Sequence, residues 1–521
     1  MRILPMGERA LLAEVATLAE VLSLHDALAA SRPAGVVDLV PAARTVLVQV
    51  DPRVLSLAAA RMWIEGAEGT EAGAAAAEPR TVEIGVVYDG ADLDETAALL
   101  HVSRDELVAR HAGTEWTVAF TGFAPGFGYL VGDDWPFDVP RLASPRTRVP
   151  AGAVGVAGEF SGAYPRDTPG GWRLLGTTDA VLFDADAAAP ALLTPGDHVR
   201  FRPVRAVAAG AVLGQADADR TDAGRADAAE AGAGGIRIAE PGLLATLQDL
   251  GRPGAASIGV ALSGALDRGA LRLANRLVGN PEGAACIEVT MGGLRAVATA
   301  DAWAAVTGAW GAMTLGGRAV DPGRAFPWPA GEELHLDWFA HGARAYLAVR
   351  GGWDGRVVLG SRATDLMAGL GPEPLRAGAE VGFADAAANA VPAADLAPWT
   401  APDAEIHVEL APGPRSAWFT PDARHLLYDA VWTVSGQADR VGIRLDGPEL
   451  ERIRDGELPS EGMVPGALQV PPSGRPTVLM ADGPVTGGYP VIAVATDAAI
   501  DAFAQARPGT RVRFRHARVP G

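Results

Sequence analysis

Residues 116–178 read WTVAFTGFAPGFGYLVGDDWPFDVPRLASPRTRVPAGAVGVAGEFSGAYPRDTPGGWRLLGTT. Short β-branched and aromatic runs alternate with Pro-Gly and Gly-Gly pairs. This is the composition of short strands meeting at tight turns, not of helices. Arginines crowd the same turns. Glycine lets a backbone approach a ligand closely, and arginine matches carboxylate and phosphate in shape. The stretch therefore reads as a binding surface on the loops of a β-barrel.

A second copy lies near the C-terminus. Trp116-Thr117-Val118 is answered by Trp432-Thr433-Val434, and Gly126 by Gly442, each ten residues beyond its tryptophan. Val149-Pro150 with Gly152 is answered by Val464-Pro465-Gly466, and Gly170-Gly171-Trp172 by Gly487-Gly488-Tyr489. Pro195-Gly196 before Val199-Arg200-Phe201-Arg202 is answered by Pro508-Gly509 before Val512-Arg513-Phe514-Arg515. Turn chemistry alone produces recurring Gly and Pro pairs, but not one order at one spacing. The pattern predicts a duplication in which Thr81–Val204 and Glu405–Arg515 share one barrel-like fold.

With 521 residues the chain is long enough for three or four domains. Its net charge of −19 argues against general nucleic-acid or anionic-membrane binding. One cysteine, Cys286, allows no internal disulfide and reads as core filler in a reducing cytoplasm. No charged-then-apolar signal pattern opens the sequence, and no apolar run reaches the ~18 residues of a membrane span. Lysine is absent, so all 44 residues counted as Lys+Arg are arginine. That excludes a Walker A lysine, a lysine Schiff base, covalently bound biotin and a Ser-Ser-Lys amidase triad.

Taken in order, residues 1–78 read as a small α+β domain. Strands Met1–Met6 and Ala10–Val15 precede a helix over Thr17–Ala30 capped by Thr17. A hairpin of Val36–Val40 and Thr45–Val50 leads to a second helix over Val54–Gly66. The apolar-face His25 reads as a packed histidine. Gly66–Pro79 reads as an alanine-rich linker. Residues 81–205 form the first barrel, with helices over Asp94–Leu100 and Ser103–His111, the latter opened by a Ser103/Glu106 capping box. His111 at that helix end is either a dipole-stabilised histidine or a catalytic one. Residues 206–235 read as a flexible linker. Residues 236–390 follow, with a helix over Leu266–Val278 started by Ser263-Gly264-Ala265 and ended by Gly279-Asn280. Asn275 is either a helix-face hydrogen bonder or a ligand contact. Ser361 and Thr364 either cap a following helix or touch an anion. Ala387–Pro402 is a short linker, and residues 400–516 form the second barrel.

These motifs resemble the 5-oxoprolinase/urea amidolyase family. Residues 1–205 are similar to the B subunit of 5-oxoprolinase, the KipI or allophanate hydrolase subunit 1 type, through Gly7-Glu8-Arg9-Ala10-Leu11, His111, Gly122-Phe123-Ala124-Pro125-Gly126-Phe127, Pro145-Arg146, Val149-Pro150 and Thr168-Pro169-Gly170-Gly171-Trp172. Residues 236–516 are similar to the C subunit, the KipA or allophanate hydrolase subunit 2 type. Here the matches are Pro241-Gly242-Leu243, Gln248-Asp249, Gly251-Arg252, Ser263-Gly264-Ala265, Asp267, Leu277-Val278-Gly279-Asn280, Gly360-Ser361-Arg362, Asp439-Arg440, Gln469-Val470-Pro471-Pro472 and Gly487-Gly488-Tyr489-Pro490. The resemblance implies a mainly β protein with α+β elements: duplicated cyclophilin-like β-barrels plus the small N-terminal domain, with two usually separate subunits fused.

It also implies one of three functions on one scaffold. The favoured one is an ATP-dependent 5-oxoprolinase component that activates a cyclic amide for hydrolysis to glutamate, with the 5-oxoprolinase A subunit or its like as partner. The alternatives are a urea amidolyase-type carboxyltransferase using a separate biotin carrier, and a KipI/KipA-like regulator of a sensor histidine kinase. The first implies ATP and Mg2+, a cytoplasmic location and a small amide substrate, and leaves a homo-oligomer open. Candidate roles follow from the motifs. His111 and Asp482 are the acid–base or catalytic candidates. Arg146, Arg148 and Arg440 would bind phosphate or carboxylate, and Trp172 and Tyr489 would wall the pocket. Asp482 and Asp439 would hold magnesium. The expected place for the site is where the two halves meet.

Overall fold

The computed structural model describes all residues except 69–79, 207–233, 387, 393–396, 398–400, 402–403, 455, 457 and 518–521. The linkers expected over Gly66–Pro79, 206–235 and Ala387–Pro402 fall largely outside the described residues. The protein is mainly β. Among the described residues no helix is long and apolar enough to cross a membrane.

At the N-terminus four antiparallel strands lie in the order Arg2–Pro5, Ala10–Glu14, Thr45–Val50, Val36–Pro41. Helices Leu18–Ala30 and Leu57–Ala67 cover one face, packing Val21, Leu28 and Ile64 against Leu11, Val46 and Val48. Thr17 caps the first helix through Glu20 N. Ser56 caps the second, so it starts three residues later than expected. The other face of the sheet is also apolar. Its Leu12, Val40 and Leu47 share a core with Met463, Leu479, Val491 and Val494 from the far end of the chain.

The two copies fold alike. In each, the first strand pairs in parallel with the last: Thr81–Val86 with His198–Pro203, and Glu405–Pro412 with Arg511–His516. In each, a helix end hands a carbonyl to the tryptophan five residues on. Trp116 Nε1 donates to His111 O and Trp432 Nε1 to Leu427 O, both at 3.0 Å. The second copy closes into a seven-stranded barrel. The first is a seven-stranded sheet whose two outer strands are joined by a single bridge from Val87 to Thr177. Ser103 caps its helix as expected, but Glu106 turns its carboxylate to Arg110, so only half of the capping box forms.

Between the copies, a six-stranded and a five-stranded sheet pack face to face over Ile238, Ile287, Val306, Trp328 and Trp353. Helix Arg268–Leu277 lies outside the five-stranded sheet and is capped by Asp267, whose carboxylate accepts from Ala270 N. Ser263 does not start it. Ser263 sits at φ 54° four residues earlier, with its hydroxyl turned to Asp482. Nor do Ser361 and Thr364 cap a helix; Ser361 Oγ donates to Asp249 and Thr364 Oγ1 to Pro372 O, holding turns. Asn275 braces its own loop through Glu282 O and Ala284 O.

Residues 249–267 hold these parts in register. Ala256 N donates to Asp38 in the N-terminal sheet. Ser257 O and Ile258 O accept from Thr121 and Gly126 of the first barrel. Ser263 N donates to Ala481 O of the second barrel. The short turn Ala256–Ile258 ends at Gly259, where φ is 82° and an added Cβ would lie 2.6 Å from Ala124 O. Gly259→Ala should lower the apparent unfolding midpoint by the equivalent of about 1–3 kcal/mol. Gly317→Ala, with φ 77° but nothing within 4 Å, should cost less; equal midpoints for the two would refute the close approach as the cause.

Candidate functional site

The structure sends the expected site residues to four different places. His111 lies in the interior of the first barrel, fully buried. Its Nδ1 meets Tyr88 OH and its Nε2 meets Ser161 Oγ, both at 2.8 Å, and its ring stacks on Phe201. Burial pushes its pKa down to about 3. The ring is therefore neither a dipole-stabilised cation nor a solvent-facing acid or base. The matching position of the second copy, Leu427, is plain core.

Arg146 and Arg148 lie on strand Arg146–Val149, which pairs with Thr168–Gly170 in a two-stranded sheet beside the first barrel, and both are already engaged. Arg146 Nη2 donates to Asp92 at 2.6 Å, and the exposed Arg148 Nε donates to Asp167 at 2.7 Å. Trp172 is buried against Phe127 and Tyr129. Its counterpart Tyr489 is half exposed on the second barrel.

Arg440 and Asp482 do meet, as an ion pair, but inside the 236–516 half, where the second barrel packs on the middle sheets, and not where the two halves join. Arg440 Nε donates to Asp482 Oδ2 at 2.8 Å, Nη1 to Glu288 Oε1 at 2.7 Å, and Nη2 to Gly264 O at 2.6 Å. Ser263 Oγ adds a bond to Asp482 Oδ1, and Tyr346 OH one to Glu288 Oε2. Burial opposes the charge on Arg440, but Asp482 and Glu288 hold its pKa above the ordinary arginine value. This arrangement does not fit the expected metal role. The Asp482 carboxylate is taken up by Arg440 and Ser263, while Asp439 Oδ1 accepts from Val441 N and Gly442 N within its own turn. Among the described residues no group of three or more His, Cys, Asp or Glu is placed to hold a metal ion.

Beside this pair lies a set of residues that the motifs did not single out for chemistry. Arg252 is 1% exposed; its Nε donates to Val358 O and its Nη2 to Ala363 O, while Nη1 has no hydrogen-bond partner among the described residues. Asp365 Oδ1 accepts from Ala368 N, and its buried Oδ2 has no hydrogen-bond partner among the described residues. Arg166, from the first barrel, has a buried Nη1 in the same condition. The charge of Asp365 acts on both arginines, yet neither forms an ion pair with it among the described residues. Arg252 also lines a small cavity bounded by Asp38 of the N-terminal sheet, Leu262, and Met463, Ala481 and Pro484 of the second barrel. Orphaned buried donors and acceptors are costly, so each of these atoms is expected to meet water or a ligand. Two guanidinium forks offer donors to a carboxylate or carbonyl, and Asp365 offers an acceptor to an amide N–H. Burial, with Asp482 adding, pushes the Asp365 carboxyl up to about 6.

Comparison with known proteins bears on the family of the chain. A family profile described as carboxyltransferase domain, subdomain A and B, matches residues 258–516, and one described as carboxyltransferase domain, subdomain C and D, matches residues 1–193. The chain is 37% identical to the C subunit of Escherichia coli 5-oxoprolinase over 284 residues, covering 54% of this chain and 90% of that protein. It is 42% identical to the B subunit of an E. coli 5-oxoprolinase over 175 residues, 32% of this chain and 78% of that protein. The crystal structure of TTHA0988 superposes with a TM-score of 0.86 at 36% identity, covering 97% of this chain and 99% of that one.

Two titrations test this site. The His111 ring resonances should stay flat in NMR from pH 8 down to about 4, since the group titrates near 3; a midpoint near 6.5 would contradict its burial. Asp365 behaves in the opposite sense to an ordinary paired carboxylate. Between about 4 and 6 the folded state keeps a proton that the unfolded chain releases, so this group lowers stability as pH rises through that window. Asp365→Asn should remove the penalty and raise the unfolding midpoint at pH 8, by up to about 3 kcal/mol. A lower midpoint at pH 8 would show that the carboxylate is paired in the folded protein.

Proposed function

The chain belongs to the carboxyltransferase-domain family of the 5-oxoprolinase B and C subunits, here joined in one polypeptide, and from that premise we propose that it is the B–C component of an ATP-dependent 5-oxoprolinase. The observation that carries this reading is the set of orphaned polar atoms at the junction: Arg166 Nη1, Arg252 Nη1 and Asp365 Oδ2. A five-membered lactam bearing a carboxylate complements such a set. Its carboxylate and carbonyl oxygens take guanidinium N–H groups, and its ring N–H donates to the Asp365 carboxylate. Urea has the N–H donors but no carboxylate, so it leaves one arginine unanswered.

An unstrained lactam is a poor electrophile. ATP would supply the activation: transfer of its terminal phosphoryl group to the amide oxygen, with ADP leaving, would open the ring carbon to water. The C–N bond would then break with the nitrogen leaving as the amine, and hydrolysis of the resulting acyl phosphate would release phosphate. The residues of this chain would bind and orient the lactam, and the cations would balance charge as it develops on oxygen. The relatives are named as lettered B and C subunits, which supports an A-type partner protein that would supply what this chain lacks for the later steps. The cytoplasm is the compartment this reading implies. Carboxyl transfer is the second reading, favoured by the domain descriptions that match residues 1–193 and 258–516. It requires a biotin carrier on another protein, since no lysine is present here to bear biotin.

The test is nucleotide hydrolysis by the full chain with 5-oxoproline, urea or allophanate, with and without the A-type partner protein. Stimulation by 5-oxoproline together with glutamate release is expected. Asp365→Asn should raise the KM for 5-oxoproline by about tenfold or more, as expected for a lost hydrogen bond to a charged group. Turnover only with a carboxybiotin carrier and urea would favour carboxyl transfer. No turnover, with tight binding to a histidine kinase, would overturn both.

A further inference from the structure

The two barrels diverge at one face. In the first, Phe120 stacks on Tyr129 with ring centroids 4.4 Å apart, and Trp172 closes over Phe127 and Tyr129 at 5.3 and 5.5 Å. These rings fill the face completely: Phe120 is 0% exposed and Trp172 6%. Counting from the paired tryptophans Trp116 and Trp432, Gly436 occupies the position of Phe120. Tyr489, the counterpart of Trp172, is 48% exposed. Where the first barrel is packed with rings, the second has an open groove of about 750 Å3. That lies within the range of ~300–1,000 Å3 usual for small-molecule sites.

The walls of the groove are chemically specific. Arg444 and Arg475 face it with Gln437, Gln469, Pro472 and Tyr489. Arg444 gives one N–H to Gln437 Oε1 at 2.6 Å, and Arg475 stands 3.8 Å from Asp446. Each guanidinium keeps further donors beyond these contacts. With Asp446 counted, the walls still carry one net positive charge. Gln469 forms the back wall. Its Nε2 reaches Met463 Sδ at 3.3 Å, and Met463 lines the junction cavity. The groove is therefore one side chain away from the site described above, but opens elsewhere.

We propose that this groove binds a nucleoside phosphate, with the base laid on Tyr489, its edge read by the Gln437 and Gln469 amides, and the phosphates held by Arg444 and Arg475. A half-exposed ring supplies a stacking platform, planar guanidinium forks match phosphate oxygens, and amides offer both donor and acceptor to a base edge. The choice of a nucleotide among ring-bearing anions rests on the ATP-dependent reading above; the groove itself does not.

The test uses the full chain and isothermal titration with ATP, ADP and tripolyphosphate, with magnesium present. No atom lies within 4 Å of a Cβ added at Gly436. Gly436→Phe should therefore fold normally and fill the groove as Phe120 fills its counterpart. Both Gly436→Phe and the pair Arg444→Ala with Arg475→Ala should weaken ATP binding by about tenfold or more, with unchanged unfolding midpoints. Equal ATP affinity in wild type and both variants would overturn the proposal. So would no nucleotide binding by the wild type, or tripolyphosphate binding as tightly as ATP. If 5-oxoproline-stimulated turnover persists in Gly436→Phe, the groove assignment falls and the reaction stands. If ATP binds in the groove but no amide stimulates turnover, the reaction falls and the groove stands.

Discussion

A guanidinium with almost no water around it fixes the geometry of this protein. Arg440 belongs to the second barrel, Glu288 to the five-stranded sheet, and Gly264 to the segment that threads between them. Stripping an ionised group of water costs several kcal/mol unless its partners are in place, and removing one partner from such a pair typically costs about 3–5 kcal/mol. Arg440 is satisfied only when all three elements sit where they do. Its partners are then tied in turn: Asp482 by Ser263, Glu288 by Tyr346 and Leu266 N. The desolvation cost thus penalises every looser arrangement of the middle sheets against the second barrel.

Apolar packing does for the first half what the buried charges do for the second. The N-terminal sheet has two apolar faces, one for its own helices and one for the second barrel. A sheet with two buried faces cannot stand alone in water without exposing one of them. The relatives of this chain carry the names of two separate subunits. The shared core around Leu12, Val40, Leu47 and Val494 gives a physical reason for those halves to stay together whether or not a peptide joins them. Arg415 adds polar specificity to that contact, bonding both Glu14 and Glu461. The same docking brings Arg166 of the first barrel close to Asp365 of the middle sheets, so the orphaned junction atoms come from both halves.

What could be read from the sequence was whatever repeats locally or by register. The duplicated landmarks gave the two barrels, period-2 and period-3.6 patterns gave the strands and helices of the N-terminal domain, and Gly279 marked a helix end at φ 77°. The failures share one cause. Ser263 looked like a helix cap because caps are local, yet its partner Asp482 lies 219 residues away. His111 looked chemically available because helix ends are usually exposed, but an aromatic core closes over it. Arg252 sits in the family-matching Gly-Arg pair and Asp365 ends a Gly-Ser-Arg-Ala-Thr-Asp turn. Their orphaned atoms lie on segments that only the tertiary fold brings together, and no local spacing encodes that meeting.

Duplication also separates the two copies by role. Two barrels from one ancestor begin with the same face. The first has closed its face with Phe120, Tyr129 and Trp172, and uses the interior His111 as a neutral hydrogen bonder between Tyr88 and Ser161 where its sister has Leu427. Large rings at every position maximise buried apolar area and leave no room for a guest. The second has Gly436 and a half-exposed Tyr489 there, without that burial. The sister barrels therefore differ in what they present: the first a face closed by rings, with Arg166 reaching the junction, and the second an open groove.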